Sequence, residues 1–263
     1  MLEISNLSRT FFPGTVNERK ALRNINLSLG AGEFVTVIGS NGAGKSTILN
    51  MIAGKLQPDS GSVSVDGKNV TRLADYKRAK YIGRVFQDPM AGTAPAMSIE
   101  ENMALAYARG RFRGLGLGVG AKRRELFRQE LASLELGLEN RLKTKVGLLS
   151  GGQRQALSLL MATFSQPKIL LLDEHTAALD PQRAALVSRL TRDIVERHQL
   201  TTLMVTHNME QALQLGTRLI MMHDGQVILD LDQATKARMT VKDLLGEFDK
   251  IKGAQLDDRT MLQ

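Results

Sequence analysis

Gly39-Ser-Asn-Gly-Ala-Gly-Lys-Ser46 decides the fold of this chain, because of what lies on either side of it. The residues before it, Glu33-Phe-Val-Thr-Val-Ile38, predict a buried strand, and Ser46 to Ala53 predict a helix. Glycines allow the backbone between them to curl tightly, so that successive N–H groups point inward. The positive end of the helix dipole lies at the same point and strengthens the attraction for an anion. The stretch therefore predicts an anion-binding loop between a strand and a helix.

The same eight residues match the pattern G-x-x-x-x-G-K-[ST], in which the lysine reaches the β- and γ-phosphates and the hydroxyl binds Mg²⁺. A glycine-rich turn that matches by chance is the alternative, which the flanking strand and helix disfavour. We therefore predict a nucleoside triphosphate site in which Lys45 also serves catalysis and Ser46 holds the metal. The predicted binding residues are Gly39, Ser40, Asn41, Gly42, Ala43, Gly44, Lys45, Ser46 and Thr47.

A second stretch, Lys168-Ile-Leu-Leu-Leu-Asp-Glu174, is an apolar run that ends in two acids. Such a run is typical of a central parallel strand, since both faces of that strand are covered. Ligands of open α/β sheets collect at the carboxyl ends of the strands. Asp173 is therefore expected to hold Mg²⁺, and Glu174 to act as general base toward a water that attacks the γ-phosphate. Two acids that simply end a strand in solvent are the alternative.

Strand and helix signals alternate along the chain, which predicts an α/β protein with a mixed, mainly parallel sheet and an antiparallel β part. Hairpins with Asp-Gly turns are predicted at Val63–Val70 and Leu219–Leu229. Ser98-Ile-Glu-Glu101 forms a capping box that opens a helix to about Tyr107. Another helix is predicted at about 121–138.

These elements predict one domain over residues 1–263. Its α/β core is expected at 1–87 and 161–231, with a helical subdomain inserted at 88–160. Residues 232–263 are expected to form a polar carboxyl-terminal tail.

Composition excludes several classes of protein. The absence of cysteine excludes disulfides, thiolate zinc sites and cysteine nucleophiles. No run approaches the roughly 18 apolar residues of a membrane helix, and the amino terminus lacks a signal peptide, so a soluble protein is expected. The formal charge of +8 suggests nucleic acid as a partner. The basic residues are spread along the chain, however, and Trp is absent, so no specific nucleic acid is expected.

The densest basic group leaves three alternatives open: a solvated face, a contact with anionic lipid or a protein, and a contact with nucleic acid. It consists of Arg109, Arg111, Arg113, Lys122, Arg123 and Arg124, around a glycine-rich stretch at 110–120.

Leu149-Ser-Gly-Gly-Gln153 precedes the acidic strand. Alone it could be a turn, or a second anion-binding nest that opens a helix. In its order between Gly39–Ser46 and Asp173-Glu174, it resembles the signature of the ATP-binding cassette (ABC) family. The resemblance covers roughly residues 1–230 and implies the fold of the P-loop nucleoside triphosphatases and an activity as an ATPase that uses ATP and Mg²⁺.

The resemblance also assigns roles to single residues. Gln87 is similar to the Q-loop glutamine, which contacts Mg²⁺ or the lytic water. Asp180 is similar to the D-loop aspartate, and His207 to the switch histidine that orients water and phosphate. Phe11 or Phe12 stands where the family stacks a ring on adenine, and Phe11 is favoured. Without the resemblance, a single glutamine or histidine is more often an ordinary hydrogen-bonded residue, and a single aromatic residue is more often part of the core.

The signature implies a second copy of the chain. In the family it closes on the γ-phosphate held by the other subunit, so Ser150, Gly151, Gly152 and Gln153 would bind ATP in trans within a head-to-tail dimer. The implied function is the energising subunit of a membrane transporter, with a separate permease and, indirectly, a substrate-binding protein. Such a subunit lies at the cytoplasmic face of the membrane. A soluble mechanical ATPase that acts on nucleic acid or ribosomes is the alternative.

Two positions depart from the family pattern. His175 follows Glu174 where most members have proline, and Ala177 replaces a common serine. His175 could titrate near neutral pH or serve structure. The variant Asp-Glu-His-Thr-Ala-Ala-Leu-Asp is similar to one bacterial importer subset, whose permeases resemble branched-chain amino-acid systems and whose binding proteins take aromatic amino acids. The resemblance therefore favours an importer, with amino acids as the expected cargo.

Overall fold

The computed structural model describes residues 1–111 and 118–250. Arg113, most of the glycine-rich stretch at 110–120 and the end of the predicted tail lie outside the described residues. The strands in chain order are β1 (Leu2–Phe11), β2 (Arg19–Leu29), β3 (Phe34–Gly39), β4 (Ser60–Val65), β5 (Lys68–Asn69), β6 (Ile82–Val85), β7 (Ile169–Asp173), β8 (Thr201–Val205), β9 (Arg218–His223) and β10 (Gln226–Leu231).

The helices connect these strands or pack on them. In chain order they are α1 (Lys45–Ala53), α2 (Asp75–Arg78), α3 (Ile99–Tyr107), α4 (Ala121–Ala132), α5 (Gly151–Thr163), α6 (Pro181–His198), α7 (Met209–Gln214) and α8 (Gln233–Lys236). Single 3₁₀ turns lie at Leu138–Asn140 and Val146–Leu148, and residues 241–250 are helical. Every helix in the described part of the chain is too short or too polar to cross a lipid bilayer.

The larger sheet has the strand order β10-β9-β3-β8-β7-β6. The five strands from β9 to β6 run parallel, and β10 pairs antiparallel with β9. The smaller sheet, β2-β1-β4-β5, is antiparallel throughout. The predicted α/β class, with a mainly parallel sheet and an antiparallel part, is therefore confirmed.

Local sequence rules explain where several elements begin. In the capping box that opens α3, the Glu101 N–H donates to Ser98 Oγ and the Ser98 N–H donates to Glu101 Oε2. The helix ends at Tyr107, as predicted. Both predicted hairpins form, and their turns place Asp66 and Asp224 in the left-handed region, where Asp and the following glycine are favoured.

The helix predicted at 121–138 is shorter than expected, and that boundary was wrong. α4 ends at Ala132, after which Glu135 and Gly137 adopt φ values of 55° and 68°. These left-handed residues turn the chain so that Leu138, which is fully buried, enters the core. The proposed boundary between the helical subdomain and the α/β core, at 160/161, falls within α5, which continues to Thr163.

The parallel sheet separates the two main hydrophobic clusters. One cluster joins β7 and β8 to the helices of the inserted segment, through side chains such as Phe127 and Leu131. The other fills the space around α1 between the two sheets. Because Ile169 to Leu172 are buried on both faces, β7 can be apolar throughout and place its terminal acid at the edge of the sheet.

Candidate nucleotide-binding site

Three predicted functional segments meet at the carboxyl edge of the parallel sheet. β3 runs into the phosphate loop (Gly39–Ser46), β7 ends at Asp173, and His207 follows β8. β8 lies between β3 and β7, so the three strand ends are neighbours. The Glu174 N–H donates to the carbonyl oxygen of Val205 at 2.9 Å, which fixes the end of β7 to that of β8.

Two glycines of the phosphate loop are required by its conformation. Gly39 has a φ of 154°, and a side chain there would collide with the carbonyl oxygen of Met222. Gly44 has a φ of 101° and lies directly before α1, against the carbonyl oxygen of Ala21. The backbone can therefore pass close to β2 and β9 and begin α1 at Lys45, with the first amides of that helix open to an anion.

Lys45 spans the phosphate loop. Its Nζ donates to the carbonyl oxygens of Gly39 at 2.7 Å and Ser40 at 3.0 Å, and the residue is 7% exposed. Burial lowers the pKa of its ammonium group, while the carboxylates of Glu174 and Asp173 act in the opposite direction. The side chain is thus held between the loop and the acid pair.

A pocket of about 220 Å³ adjoins the loop and gathers residues from β1, β2, α1 and the end of β7. Its lining residues are Phe11, Arg19, Ala21, Asn41, Gly42, Gly44, Lys45, Ser46, Thr47 and Glu174. We call this the nucleotide pocket. The predicted site residues that do not line it in the described structure are Gly39, Ser40, Ala43, Gln87, Ser150, Gly151, Gly152, Gln153, Asp173, Asp180 and His207.

The aromatic side chain in the nucleotide pocket is that of Phe11. Its ring is half-buried and lies 5.3 Å from the Arg9 guanidinium carbon. Phe12 is 66% exposed and has a φ of 51°, which turns it away at the end of β1. Of these two rings, it is therefore Phe11 that lines the pocket, at the end of β1.

Glu174 and His207 form a pair beside the nucleotide pocket. The distance from Glu174 Oε2 to His207 Nδ1 is 3.1 Å, and the side chains are 21% and 57% exposed. Glu174 has a φ of 45°, so the chain turns sharply directly after β7. This turn separates the two acids, because Asp173 remains in the sheet while Glu174 reaches the pocket.

Asp173 is held by a residue that sequence reasoning missed. Arg84, on β6, donates from Nη2 to Asp173 Oδ2 at 2.7 Å and from Nη1 to Asn50 Oδ1 at 2.7 Å. A cation within the otherwise apolar strand β6 was the available signal, since burying a charge requires a partner. Arg19 was missed as well. Its Nη2 donates to the carbonyl oxygen of Gly42 at 2.8 Å, on the rim of the pocket.

The signature segment forms the amino-terminal end of α5. A second capping box joins Ser150 and Gln153, and Gly151 and Gly152 pack against Leu179 and Arg183. Side-chain atoms of Arg183 lie 3.2 Å from where a Cβ at Gly152 would stand. The signature thus packs on the segment that contains Asp180, whose carboxylate caps α6 by accepting the Arg183 N–H at 3.1 Å.

Oxygen donors suited to Mg²⁺ are present in the predicted set: the Ser46 hydroxyl, the Gln87 amide and the Asp173 carboxylate. Within the described residues, no three His, Cys, Asp or Glu side chains are grouped so as to hold a metal by themselves. Mg²⁺ commonly takes one or two carboxylates together with substrate phosphates and waters. The donor set therefore fits a metal that arrives with a phosphate.

His175 is part of the core. It is 1% exposed, and its Nε2 lies 2.9 Å from Thr191 Oγ1. Thr191 donates its own hydroxyl hydrogen to the carbonyl oxygen of Val187, so it accepts a hydrogen from Nε2. Burial lowers the pKa of His175 from 6.5 to about 4, which keeps the ring neutral at pH 7.

Comparison with known proteins gives concordant matches. A family model described as "ABC transporter" matches residues 22–177. The "tyrosine transport ATP-binding protein" of Clostridioides difficile strain R20291 is 46% identical over 250 residues, which cover 95% of this chain and 99% of that protein. The "energy-coupling factor transporter ATP-binding protein EcfA2" of Clostridium acetobutylicum is 34% identical and covers 87% of this chain and 78% of its own length.

Solved structures match at the level of the fold. A dimeric post-hydrolysis state of the ATP-binding cassette MJ0796 bound to ADP and Pi gives a TM-score of 0.76 at 32% identity, covering 89% of this chain and 99% of that chain. The cbiO1 protein of Clostridium perfringens, part of the ABC transporter complex cbiONQ, gives a TM-score of 0.73 at 25% identity, covering 97% and 94%. The architecture is thus that of an ATP-binding cassette, with the P-loop nucleoside triphosphatase fold.

Proposed function

The chain belongs to the ABC transporter family, and from this premise we propose that it energises an importer, with amino acids as the cargo. It is an ATP-binding, ATP-hydrolysing subunit of a transporter. The import direction, the cargo and the residue roles described below are the proposal.

The observation that carries the proposed mechanism is the position of Glu174. Its carboxylate lines the nucleotide pocket with Lys45 and Ser46, and it lies 3.1 Å from His207 Nδ1. A carboxylate at this place can accept a proton from water that attacks the γ-phosphate. His207 holds that carboxylate and orients the water, while Lys45 stabilises charge on the phosphate.

Binding of the nucleotide involves the rest of the pocket. Phe11 stacks on adenine, and the amides of residues 39–47 surround the phosphates. Ser46, Asp173 and Gln87 would hold Mg²⁺, which supplies charge neutralisation at the β- and γ-phosphate oxygens when bound. Lys45 must exchange its bonds with the Gly39 and Ser40 carbonyls for bonds with phosphate.

The signature segment completes the site from a second copy of the chain. Ser150, Gly151, Gly152 and Gln153 do not line the chain's own nucleotide pocket. The Gln153 N–H donates to Ser150 Oγ, whereas the amides of Gly151 and Gly152 have no acceptor within the helix. A head-to-tail dimer would present these amides and Asp180 to ATP bound by the other subunit. The dimeric MJ0796 cassette, at 32% identity, supports this arrangement.

The proposed cargo and partners follow from relatives. The Clostridioides difficile relative is named for tyrosine transport and aligns over almost its whole length. The cbiO1 protein belongs to a transporter complex. A separate permease would therefore hold this chain at the cytoplasmic face of the membrane, and a substrate-binding protein would deliver an amino acid to that permease.

A glutamate variant tests the mechanism. Glu174→Gln should lower ATP turnover by about 100-fold or more, because it removes the general base, while ATP binding is retained. Glu125→Gln, on the surface of α4, is the matched control and should leave turnover unchanged. Phosphate release and equilibrium ATP binding are the two measurements. Wild-type turnover in Glu174→Gln would refute the assignment of the base.

Reconstitution tests the transport proposal. The chain would be purified with a candidate permease, placed in vesicles, and supplied with radiolabelled aromatic amino acids and ATP. Uptake is expected with wild type and should be lost with Glu174→Gln. ATP hydrolysis without uptake of any amino acid would contradict the cargo, and ATPase stimulation by RNA or ribosomes would favour the soluble mechanical alternative.

A further inference from the structure

Arg84 is a charged residue in a short strand that is otherwise apolar. It lies on β6 between the buried residues Gly83 and Val85, and its side chain is 11% exposed. A guanidinium in such a place is costly unless acceptors compensate for lost hydration. Arg84 has two side-chain acceptors at 2.7 Å, on two other elements of the fold.

Those acceptors are both next to the proposed reaction site. Asp173 is the last residue of β7, and Asn50 lies on α1, the helix that begins at Lys45 and Ser46. β6 itself leads through Phe86 to Gln87, and the Arg84 guanidinium carbon lies 4.9 Å from the Phe86 ring centroid. One side chain thus connects the phosphate-loop helix, the metal-binding acid and the segment that carries the glutamine.

The contact also distinguishes the two oxygens of the Asp173 carboxylate. Oδ2 accepts from Arg84, so rotation of the carboxylate would break a charge-assisted hydrogen bond. Arg84 does not engage Oδ1, so that oxygen would remain available to a metal or to a water bound to it. The Nε of Arg84 has no hydrogen-bond partner within residues 1–111 and 118–250, so Asp173 and Asn50 are the hydrogen-bonded anchors of the guanidinium there.

We propose that Arg84 is a positioning residue, which fixes the Asp173 carboxylate against α1 so that one oxygen faces the Mg²⁺ that accompanies ATP. This inference rests on the proposed function and deepens it. Lysine cannot replace arginine fully here, because a single ammonium group lacks the planar fork that reaches two acceptors on different elements.

Metal affinity measured separately from nucleotide affinity tests the proposal. Mn²⁺ is titrated by electron paramagnetic resonance against the chain bound to a non-hydrolysable ATP analogue, and binding of that analogue is also measured in EDTA. Arg84→Met should weaken Mn²⁺ binding about tenfold, as loss of groups that orient metal ligands does, with analogue affinity in EDTA within about twofold of wild type. Arg84→Lys should recover part of the loss. Arg128→Met, which removes an exposed ion pair on α4, should change neither quantity.

Three results would overturn the inference. Unchanged Mn²⁺ affinity in both folded Arg84 variants would mean that the residue has a purely structural role with no effect on metal binding. Tighter Mn²⁺ binding would mean that Arg84 competes with the metal for Asp173. A parallel fall of analogue binding in EDTA would mean general damage to the site. If wild type binds neither the analogue nor Mn²⁺, the proposed function fails, and this inference fails with it.

Discussion

His175 gives the chain a pH-dependent stability that can be calculated from its burial. We consider His175→Gln, which keeps a side-chain N–H that can donate to Thr191 but removes the titrating ring. In the folded wild-type chain the pKa of His175 is about 4, against an ordinary value of 6.5. Between those values the unfolded chain binds a proton that the folded chain does not, so stability falls as the pH falls below 6.5.

The magnitude follows from the two pKa values. Each unit of difference corresponds to about 1.4 kcal/mol, so the full loss is about 3 kcal/mol once the pH is below 4. Between pH 7 and pH 5 the loss from this ring is about 2 kcal/mol. For a chain of 263 residues, unfolding entropy of about 2 cal/mol/K per residue converts this to a melting temperature lower by about 4 °C.

Urea unfolding at pH 7 and pH 5, in EDTA without nucleotide, measures the effect. From pH 7 to pH 5, the free energy of unfolding should decrease in both proteins. The decrease should be about 2 kcal/mol smaller in His175→Gln than in wild type. His198→Gln, an exposed histidine at the end of α6, is the matched control and should follow wild type. Equal losses in wild type and His175→Gln would refute the reasoning, as would NMR evidence of a doubly protonated His175 ring at pH 5.

Three further predictions concern binding and packing. Lys45→Ala should weaken ATP binding by about 10- to 100-fold, since charge-assisted hydrogen bonds contribute about 1.5–3 kcal/mol; calorimetric titration would show it, and unchanged affinity would contradict the phosphate-loop assignment. Phe11→Ala should weaken ATP binding by about 1–3 kcal/mol in fluorescent-nucleotide titrations, whereas the exposed Phe12→Ala should not; an equal effect of both would reject the stacking role. Phe127→Ala should lower the free energy of unfolding in urea by about 3–5 kcal/mol, because this fully buried ring joins the inserted helices to the core; a loss below 1 kcal/mol would contradict that packing.

Features governed by near neighbours in the sequence were predictable. The capping box at Ser98, the Asp-Gly hairpins and the strand–loop–helix unit around Lys45 depend on residues a few positions apart. The apolar run that ends at Asp173 indicated a buried parallel strand, because it is too short for a typical buried helix and both faces of a central strand are covered. These features were enough to predict the α/β class.

Features governed by tertiary packing were not predictable. Apolar residues continue at helical spacing past Ala132, and the one local stop signal, Gly137, lies five residues beyond the observed end of α4, so the sequence did not locate that end. The partners of Arg84 lie 34 and 89 positions away in the sequence, so no local pattern could reveal the contact. Two contacts within the basic group could not be predicted for the same reason: Arg124 is paired with Glu100 at 2.7 Å, and Arg111 lies 3.9 Å from the Tyr107 ring centroid.

The proposed reaction site is nearly balanced in charge before any ligand is counted. The cations of Lys45 and Arg84 face the anions of Asp173 and Glu174, and the Lys45 ammonium also bonds two carbonyl oxygens. Such pairing limits the cost of burying these charges in the folded chain. A triphosphate must then compete for Lys45 with the two carbonyl oxygens that it bonds and with the two carboxylates that attract it. A metal that neutralises the two acids would release this competition, so ATP and Mg²⁺ should bind with positive coupling, and removal of either acid should reduce that coupling.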